Sequence, residues 1–258
     1  MAKPRGIAHL LNHLRDHFED YAIIGGGAAA ILMEENGLEF RATKDIDVVF
    51  LTHSSSSLNS KVSQYIKDGE YDITETSEGI ARYYRFRNPK NNIFPEIIEI
   101  FARNEQNIDL EQGQYIIPIQ NNALAKISAI LLDDEYFNII KSNCIQSKDG
   151  APIINPLANI CLKARAYRDL SVRKEKMDNI DSKDIAKHKK DILRLAVLLN
   201  GNERINLGPQ TKIDMAIVLE ELHNIDEKQF KVVMEKFPGI QKSELLRVLK
   251  TIFIEGSP

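Results

Sequence analysis

Two aspartates that stand two positions apart, Asp45 and Asp47, are the residues of this sequence best suited to do chemistry. They lie at the start of an apolar run that extends to residue 51 and is typical of a buried strand. Alternate residues of a strand face the same side about 6.6 Å apart, so both carboxylates can reach into one cleft. Carboxylates with this spacing can hold a pair of divalent cations about 3.5–4 Å apart, which is the two-metal arrangement for phosphoryl transfer. Ligation by oxygen alone favours Mg²⁺, with Mn²⁺ as the alternative.

A third carboxylate is expected on a later strand. Residues 93–101 form another apolar run, in which Glu99 stands between two isoleucines. A glutamate inside such a strand is costly unless a partner compensates its charge. Glu96 stands at the start of the run, where water can solvate it. We therefore expect Glu99 either to complete the metal site or to act as general base for an attacking hydroxyl.

Three consecutive glycines, Gly25, Gly26 and Gly27, follow a short apolar strand predicted at residues 21–24. We expect the glycines to form a turn that allows positive φ, followed by a helix at residues 28–35. The backbone N–H groups of such a turn, together with a helix N-terminus, can approach the phosphates of a nucleoside triphosphate. A glycine turn or an Asp-x-Asp pair alone indicates little, but their order along this chain is more specific.

In that order, the motifs resemble those of the nucleotidyltransferase superfamily with the polymerase-β-type fold. The resemblance is closest to its AbiEii-like toxin branch, which includes MenT-like tRNA-modifying enzymes. Residues 24–28 match the glycine motif that opens the first helix, and residues 41–47 match the motif R-x-[ST]-x-D-[IL]-D. Lys163 matches the family's lysine on a helix after the sheet, and Asp191 matches its late acidic motif.

The late acidic motif departs from the family pattern. The family often has a second aspartate three residues after the first, and this sequence has Arg194 there. Asp184, which also follows a lysine, is a competing alignment. The resemblance therefore favours Asp191 and keeps Asp184 as the alternative.

The residues and the resemblance together predict Mg²⁺-dependent transfer of an NMP from an NTP to an acceptor. The resemblance implies that the acceptor is RNA, in particular tRNA, and that the protein is a toxin with a cognate antitoxin. The alternatives are transfer to a small molecule or a protein side chain, and a non-catalytic module that binds nucleotide or RNA. The predicted metal ligands are Asp45, Asp47 and Glu99; the predicted NTP contacts are Gly25, Gly26, Gly27, Arg41, Thr43 and Lys163; and the predicted catalytic residues are Asp45, Asp47, Glu99, Lys163 and Asp191.

Two other groups of residues have chemical potential of their own. His9, His13 and His17 recur at intervals of four, a spacing that can bind a transition metal but is more typical of a polar helix face. Residues 82–87 interleave two tyrosines with three arginines. Such a hairpin can stack on single-stranded nucleic acid, or it can be an ordinary solvated surface.

The elements that must position these residues predict an α/β (α+β) fold, with a small mixed sheet flanked by helices and followed by a C-terminal helical bundle. We assign residues 1–150 to the core and residues 151–258 to the helical domain. In the core, a helix is expected at residues 5–19, strands at 71–76, 81–86, 93–101 and 114–119, and a strand or a helix at 129–140. The predicted C-terminal helices are 157–170, 181–199, 210–223, 226–237 and 243–253, with capping residues Asn155, Asp226 and Ser243 and a charged linker at 171–179.

Composition limits the protein classes that remain. The chain has 258 residues, of which 43% are hydrophobic and 28% charged, and this fits folded domains rather than disorder. No apolar run approaches the roughly 18–20 residues of a membrane helix. Two cysteines, Cys144 and Cys161, do not indicate a disulfide scaffold, so we expect a cytoplasmic location. Residues 163–194 contain 11 Lys and Arg against 6 Asp and Glu. If the acceptor is tRNA, this basic range is the expected docking surface, and the alternative is a set of ordinary solvated helix faces.

Overall fold

The computed structural model describes residues 3–51, 56–75, 81–101, 134–176 and 180–256. The chain divides into two compact units, Met1–Ile154 and Asn155–Pro258. Within the described residues the first unit contains the sheet and the second is built from helices. The predicted fold class, a mixed sheet with flanking helices, is confirmed.

The strands described in the first unit form one mixed sheet. They are β1 (Tyr21–Ile24), β2 (Asp45–Phe50), β3 (Asp72–Glu75), β4 (Ala81–Arg87), β5 (Ile97–Phe101), β6 (Cys144–Gln146) and β7 (Pro152–Ile154). Their order across the sheet is β3-β4-β5-β2-β1-β7-β6. At the centre β2 is antiparallel to β1 and parallel to β5, and β5 is antiparallel to β4. Because β7 pairs with β1, the predicted boundary after residue 150 falls too early, and the first unit extends to residue 154.

The helices described in the first unit are α1 (Ile7–His13), α2 (Gly25–Glu35), α3 (Ser56–Asp68) and α4 (Asp134–Ser142). The helix predicted at residues 5–19 is shorter, because a separate 3₁₀ turn at Arg15–His17 follows α1. Helix α2 begins at Gly25, so the three glycines form its first turn and not a separate turn before it. Helix α4 resolves the strand-or-helix alternative, and the strand predicted at residues 114–119 lies outside the described residues.

The second unit contains α5 (Pro156–Glu175), α6 (Ser182–Ala196), α7 (Pro209–His223), α8 (Glu227–Val233), α9 (Lys242–Lys250) and a π-helical turn at Thr251–Glu255. Helix α5 packs against both α6 and α7. The side chains of Asn155 and Asp226 cap α5 and α8 as predicted, whereas α9 begins after Gln241 and not at Ser243. Residues 171–175 continue α5 and are not a linker, because they lack Gly or Pro, and Arg173 and Lys174 suit a helix C-terminus.

The helices of the described residues were compared with the requirements of a membrane span. No helix there has both the length and the apolar character needed to cross a bilayer.

Candidate active site

Three carboxylates come together on one face of the sheet. Asp47 on β2 is in direct register with Glu99 on the parallel neighbour β5. Residues in register on adjacent strands lie on the same face, about 4.8 Å apart. Asp45 precedes Asp47 by two residues and shares that face. The pairing of β2 with β5 thus joins the Asp-x-Asp motif to a carboxylate from a distant part of the chain.

The N-terminus of α2 lies directly beside these carboxylates. Ile24, the last residue of β1, is in register with Asp47, and the helix begins at the next residue. Gly25 has φ of 63°, and a Cβ atom there would lie 2.1 Å from Oδ2 of Asp47. A Cβ atom at Gly26 would lie 2.6 Å from Oγ1 of Thr43. Only glycine therefore lets the side chains of Asp47 and Thr43 lie this close to the first turn of α2.

The structural need for Gly25 can be tested against a matched glycine. Gly37 also has positive φ, at 69°, but nothing lies within 4 Å of the position a Cβ would take. Gly25→Ala and Gly37→Ala should each cost about 1–2 kcal/mol of folding free energy, measured by urea denaturation. Gly25→Ala should in addition displace the Asp47 carboxylate and lower the proposed NMP transfer at least about 100-fold. Equal transfer by the two variants would show that the clash with Asp47 does not matter.

The surroundings of Glu99 raise its pKa. Burial raises its pKa to about 8, with further contributions from Asp47, which is also its hydrogen-bond partner, and from Asp45. The guanidinium of Arg85 lowers the pKa of Glu99 but offsets only part of this effect. A divalent cation bound here would lower the pKa of Glu99 again, because it stabilises the ionised carboxylate.

The raised pKa of Glu99 makes the stability of the first unit depend on pH. The stability that protonated Glu99 contributes is complete below about pH 4.5 and is lost as the pH rises to about 8. Glu99→Gln cannot ionise and avoids this loss. In chelator, its melting temperature should match that of the wild type at pH 5 and exceed it by about 5 °C at pH 9. Differential scanning fluorimetry checks this, with Glu96→Gln as the control, and a constant offset across the pH range would contradict it.

Arg85 is a site residue that the sequence reasoning did not assign to this site. It lies on β4 in register with Glu99, and its Nε lies 2.6 Å from Oε1 of Glu99. Its Nη2 lies 3.9 Å from Oδ2 of Asp45. The sequence pattern of the hairpin leaves a nucleic-acid surface and a solvated surface open, and it does not contain the strand pairing that sets Arg85 opposite Glu99. The side chains of residues 82–84, which belong to that interpretation, lie outside those that the structure describes.

The chemistry of the donor set fits Mg²⁺ or Mn²⁺. Asp45, Asp47 and Glu99 offer hard oxygen atoms on one face, and Arg85 already supplies positive charge there. Among the described residues, no three His, Cys, Asp or Glu side chains are already gathered closely enough to hold an ion.

The other residues predicted near the site lie in the connection before β2 and at the start of β5. The hydroxyl of Thr43 lies 3.5 Å from the carbonyl oxygen of Asp45. The guanidinium of Arg41 lies 5.4 Å from the centroid of the Phe40 ring. Glu96 forms an ion pair with Lys44 at 2.7 Å, before β5 begins. The structure thus places Glu99, and not Glu96, beside the two aspartates.

Lys163 and Asp191 meet in the second unit. Lys163 on α5 is 7% exposed and Asp191 on α6 is fully buried, with Nζ and Oδ2 3.5 Å apart. Arg194 approaches the other oxygen of Asp191 at 3.4 Å. Asp184 is exposed in the first turn of α6. Asp191 thus contacts Lys163, whereas Asp184 is a surface residue, and the match of Asp191 to the late acidic motif stays a prediction.

Much of the basic surplus at residues 163–194 is compensated inside the second unit. Buried Asp214 on α7 contacts Arg165 at 3.3 Å and Arg168 at 3.8 Å, and Glu221 contacts Lys189 at 3.1 Å. Among the described residues, the exposed basic side chains of this range are Lys174 and Lys176 at the C-terminal end of α5 and Lys183 and Lys190 on α6. The charge count along the sequence overstates the positive surface.

The three histidines near the N-terminus contact different partners. His9 Nδ1 lies 2.9 Å from the hydroxyl of Tyr65, and His13 Nε2 lies 2.9 Å from the carbonyl oxygen of Lys61. His17 bridges Asp20 and the hydroxyl of Ser57. Each histidine thus joins α1 or the turn after it to neighbouring parts of the fold, as expected for a polar face.

Searches of protein-family models, of curated proteins and of solved structures return no match to this chain. The geometry and chemistry of the site therefore carry the functional conclusion.

Proposed function

We propose that this protein is a Mg²⁺-dependent nucleotidyltransferase that moves an NMP from an NTP to an acceptor hydroxyl on RNA. The observation that carries the proposal is the register of Asp47 with Glu99, which puts three carboxylates on one face beside the first turn of α2. Carboxylates that bind cations and a glycine-lined helix N-terminus that approaches phosphate are what a bound NTP·Mg²⁺ requires.

Each part of the site has a defined task in the proposed reaction. Asp45, Asp47 and Glu99 would hold Mg²⁺ or Mn²⁺, which supplies charge neutralisation for the phosphates and activation of the attacking hydroxyl. The N–H groups at the start of α2, formed by Gly25, Gly26 and Gly27, would bind the triphosphate, because glycine adds no side chain of its own there. The acceptor oxygen forms the new bond to the α-phosphorus, and pyrophosphate leaves.

Lys163 and Asp191 act together in this proposal. The resemblance implies that Lys163 contacts the nucleotide, where an ammonium group stabilises the charge of the transition state. Asp191 contacts the Lys163 ammonium, so we assign it the role of a positioning residue. Arg41 and Thr43, which belong to the motif around Asp45 and Asp47, are proposed to contact the NTP.

The biological role follows from the resemblance. We propose that the protein acts in the cytoplasm, on tRNA, as a toxin restrained by an antitoxin. In the described residues Cys144 and Cys161 are thiols and not a disulfide, which is compatible with a reducing compartment.

The acceptor is identified by incubating purified protein and Mg²⁺ with each α-labelled NTP in turn and total cellular RNA. We expect label from one preferred NTP to enter RNA of tRNA size. Label on protein or on a small molecule would support NMP transfer but would show that the acceptor is not RNA. No transfer from any NTP, with the Asp47→Asn variant still binding nucleotide as the wild type does, would indicate a non-catalytic binding module.

A further inference from the structure

We propose that Arg85 is a built-in counter-ion of the metal site, and that a divalent cation binds by displacing the guanidinium from Glu99 and Asp45. The inference rests on the proposed function, because it concerns the same three carboxylates. It adds a property that the carboxylates alone do not give, namely that metal binding competes with an ion pair inside the protein.

The geometry places Arg85 against the metal ligands and not merely near them. Arg85 and Glu99 are opposite residues of the antiparallel pair β4 and β5, so their side chains leave the same face of the sheet. Nε lies 2.6 Å from one oxygen of Glu99, and Nη2 reaches across to within 3.9 Å of Oδ2 of Asp45. One guanidinium therefore contacts two of the three carboxylates, which is the task proposed for the metal.

Partial burial strengthens the electrostatic interaction between Arg85 and Glu99. The side chains of Arg85 and Glu99 are 27% and 17% exposed, so water compensates their charges only in part. A guanidinium stays charged at every accessible pH, so Arg85 cannot leave by losing a proton. A divalent cation and a guanidinium repel each other strongly at contact distance in such surroundings. The cation and Arg85 therefore compete for Glu99.

A neighbouring ion pair provides the matched control. Lys44 directly precedes Asp45 and pairs with Glu96 at 2.7 Å, but its side chain is 68% exposed. Lys44→Gln removes one positive charge close to the site, as Arg85→Gln does, without removing a contact to Asp45 or Glu99. If general electrostatics governed metal affinity, the two variants would behave alike.

Isothermal titration of MgCl₂ into metal-free, full-length protein tests the inference. Wild-type binding should be weak and should depend on Asp47. Arg85→Gln should bind Mg²⁺ about 10-fold more tightly than the wild type, since the competing charge-assisted contact is gone. The Mg²⁺ affinity of Lys44→Gln should stay within about twofold of the wild-type affinity. Arg85→Lys keeps the positive charge of the side chain, so its Mg²⁺ affinity should stay within about threefold. Measurable binding by Arg85→Gln alone would also support the inference.

Two other outcomes separate this inference from the proposed function. If the wild type binds Mg²⁺ through Asp47 and Arg85→Gln binds no more tightly, the metal site stands and the competition is wrong. If neither the wild type nor any variant binds Mg²⁺, the proposed metal-dependent function fails, and this inference fails with it.

A second measurement covers the case in which Arg85→Gln does not fold. The Nε–H resonance of Arg85 is assigned in ¹⁵N-labelled wild type by its loss in Arg85→Lys. We expect it to shift on titration with Mg²⁺, as the contact with Glu99 breaks. A resonance that stays unchanged while other signals of the site saturate with Mg²⁺ would overturn the displacement.

Discussion

Asp47→Asn is expected to lower Mg²⁺-dependent NMP transfer at least about a thousandfold while leaving the protein folded. Asparagine keeps the shape of the side chain and removes the negative charge that a divalent cation needs. Asp47 lies in register with Glu99 and against the N-terminus of α2, so its loss affects both the proposed metal and the proposed phosphate contacts. The measurement is initial-rate transfer from α-labelled NTP at saturating Mg²⁺.

The matched control is Asp16→Asn, which makes the same chemical change at an exposed position of the same unit. Its transfer rate should equal that of the wild type. The melting temperature of Asp47→Asn should not fall below that of the wild type, because the variant removes the repulsion between the carboxylates of Asp47 and Glu99. Transfer by Asp47→Asn within tenfold of the wild type, in a folded protein, would remove the carboxylates from the mechanism.

Asp191→Asn is expected to destabilise the second unit by about 3 kcal/mol, because it breaks a buried ion pair from one side. Asp191 is fully buried, and both Lys163 and Arg194 contact its oxygens. A neutral amide removes the negative charge that lies 3.5 Å from the buried Lys163 ammonium. Urea denaturation monitored by circular dichroism at 222 nm measures the loss, since the described second unit is helical.

Asp184→Asn is the control on the same helix. Asp184 is exposed in the first turn of α6, so its replacement should change the free energy of unfolding by less than about 0.5 kcal/mol. Equal destabilisation by the two variants would mean that the contact between Lys163 and Asp191 does not support the fold.

Local sequence patterns predict which carboxylates of the candidate site share a face of the sheet. The two-residue period of a strand predicted that Asp45 and Asp47 share a face, and the apolar neighbours of Glu99 singled it out over Glu96. Neither pattern contains the pairing of β2 with β5, which alone puts Glu99 beside Asp47. Strand order is set by packing across the whole sheet, so a single sequence does not supply it.

Three features of the structure cannot be predicted from local sequence patterns, each for a physical reason. Glycine is a poor helix former, so Gly25–Gly27 suggested a turn, yet tertiary contact with Asp47 and Thr43 favours glycine in the first turn of α2. Strands β6 and β7 have three residues each, too few for a periodic signal. The sequence neighbours of Arg85 do not indicate its contact with Glu99, because Glu99 lies on another strand.

The central claim, transfer of an NMP by attack on the α-phosphorus, is tested most directly by the position of the label. Parallel reactions would contain the preferred NTP labelled at either the α or the γ phosphate, with Mg²⁺ or with chelator. We predict that α label enters the acceptor, that γ label is released as pyrophosphate, and that both require Mg²⁺ and Asp47. Entry of γ label into the acceptor, or release of γ label as inorganic phosphate without transfer, would contradict the account.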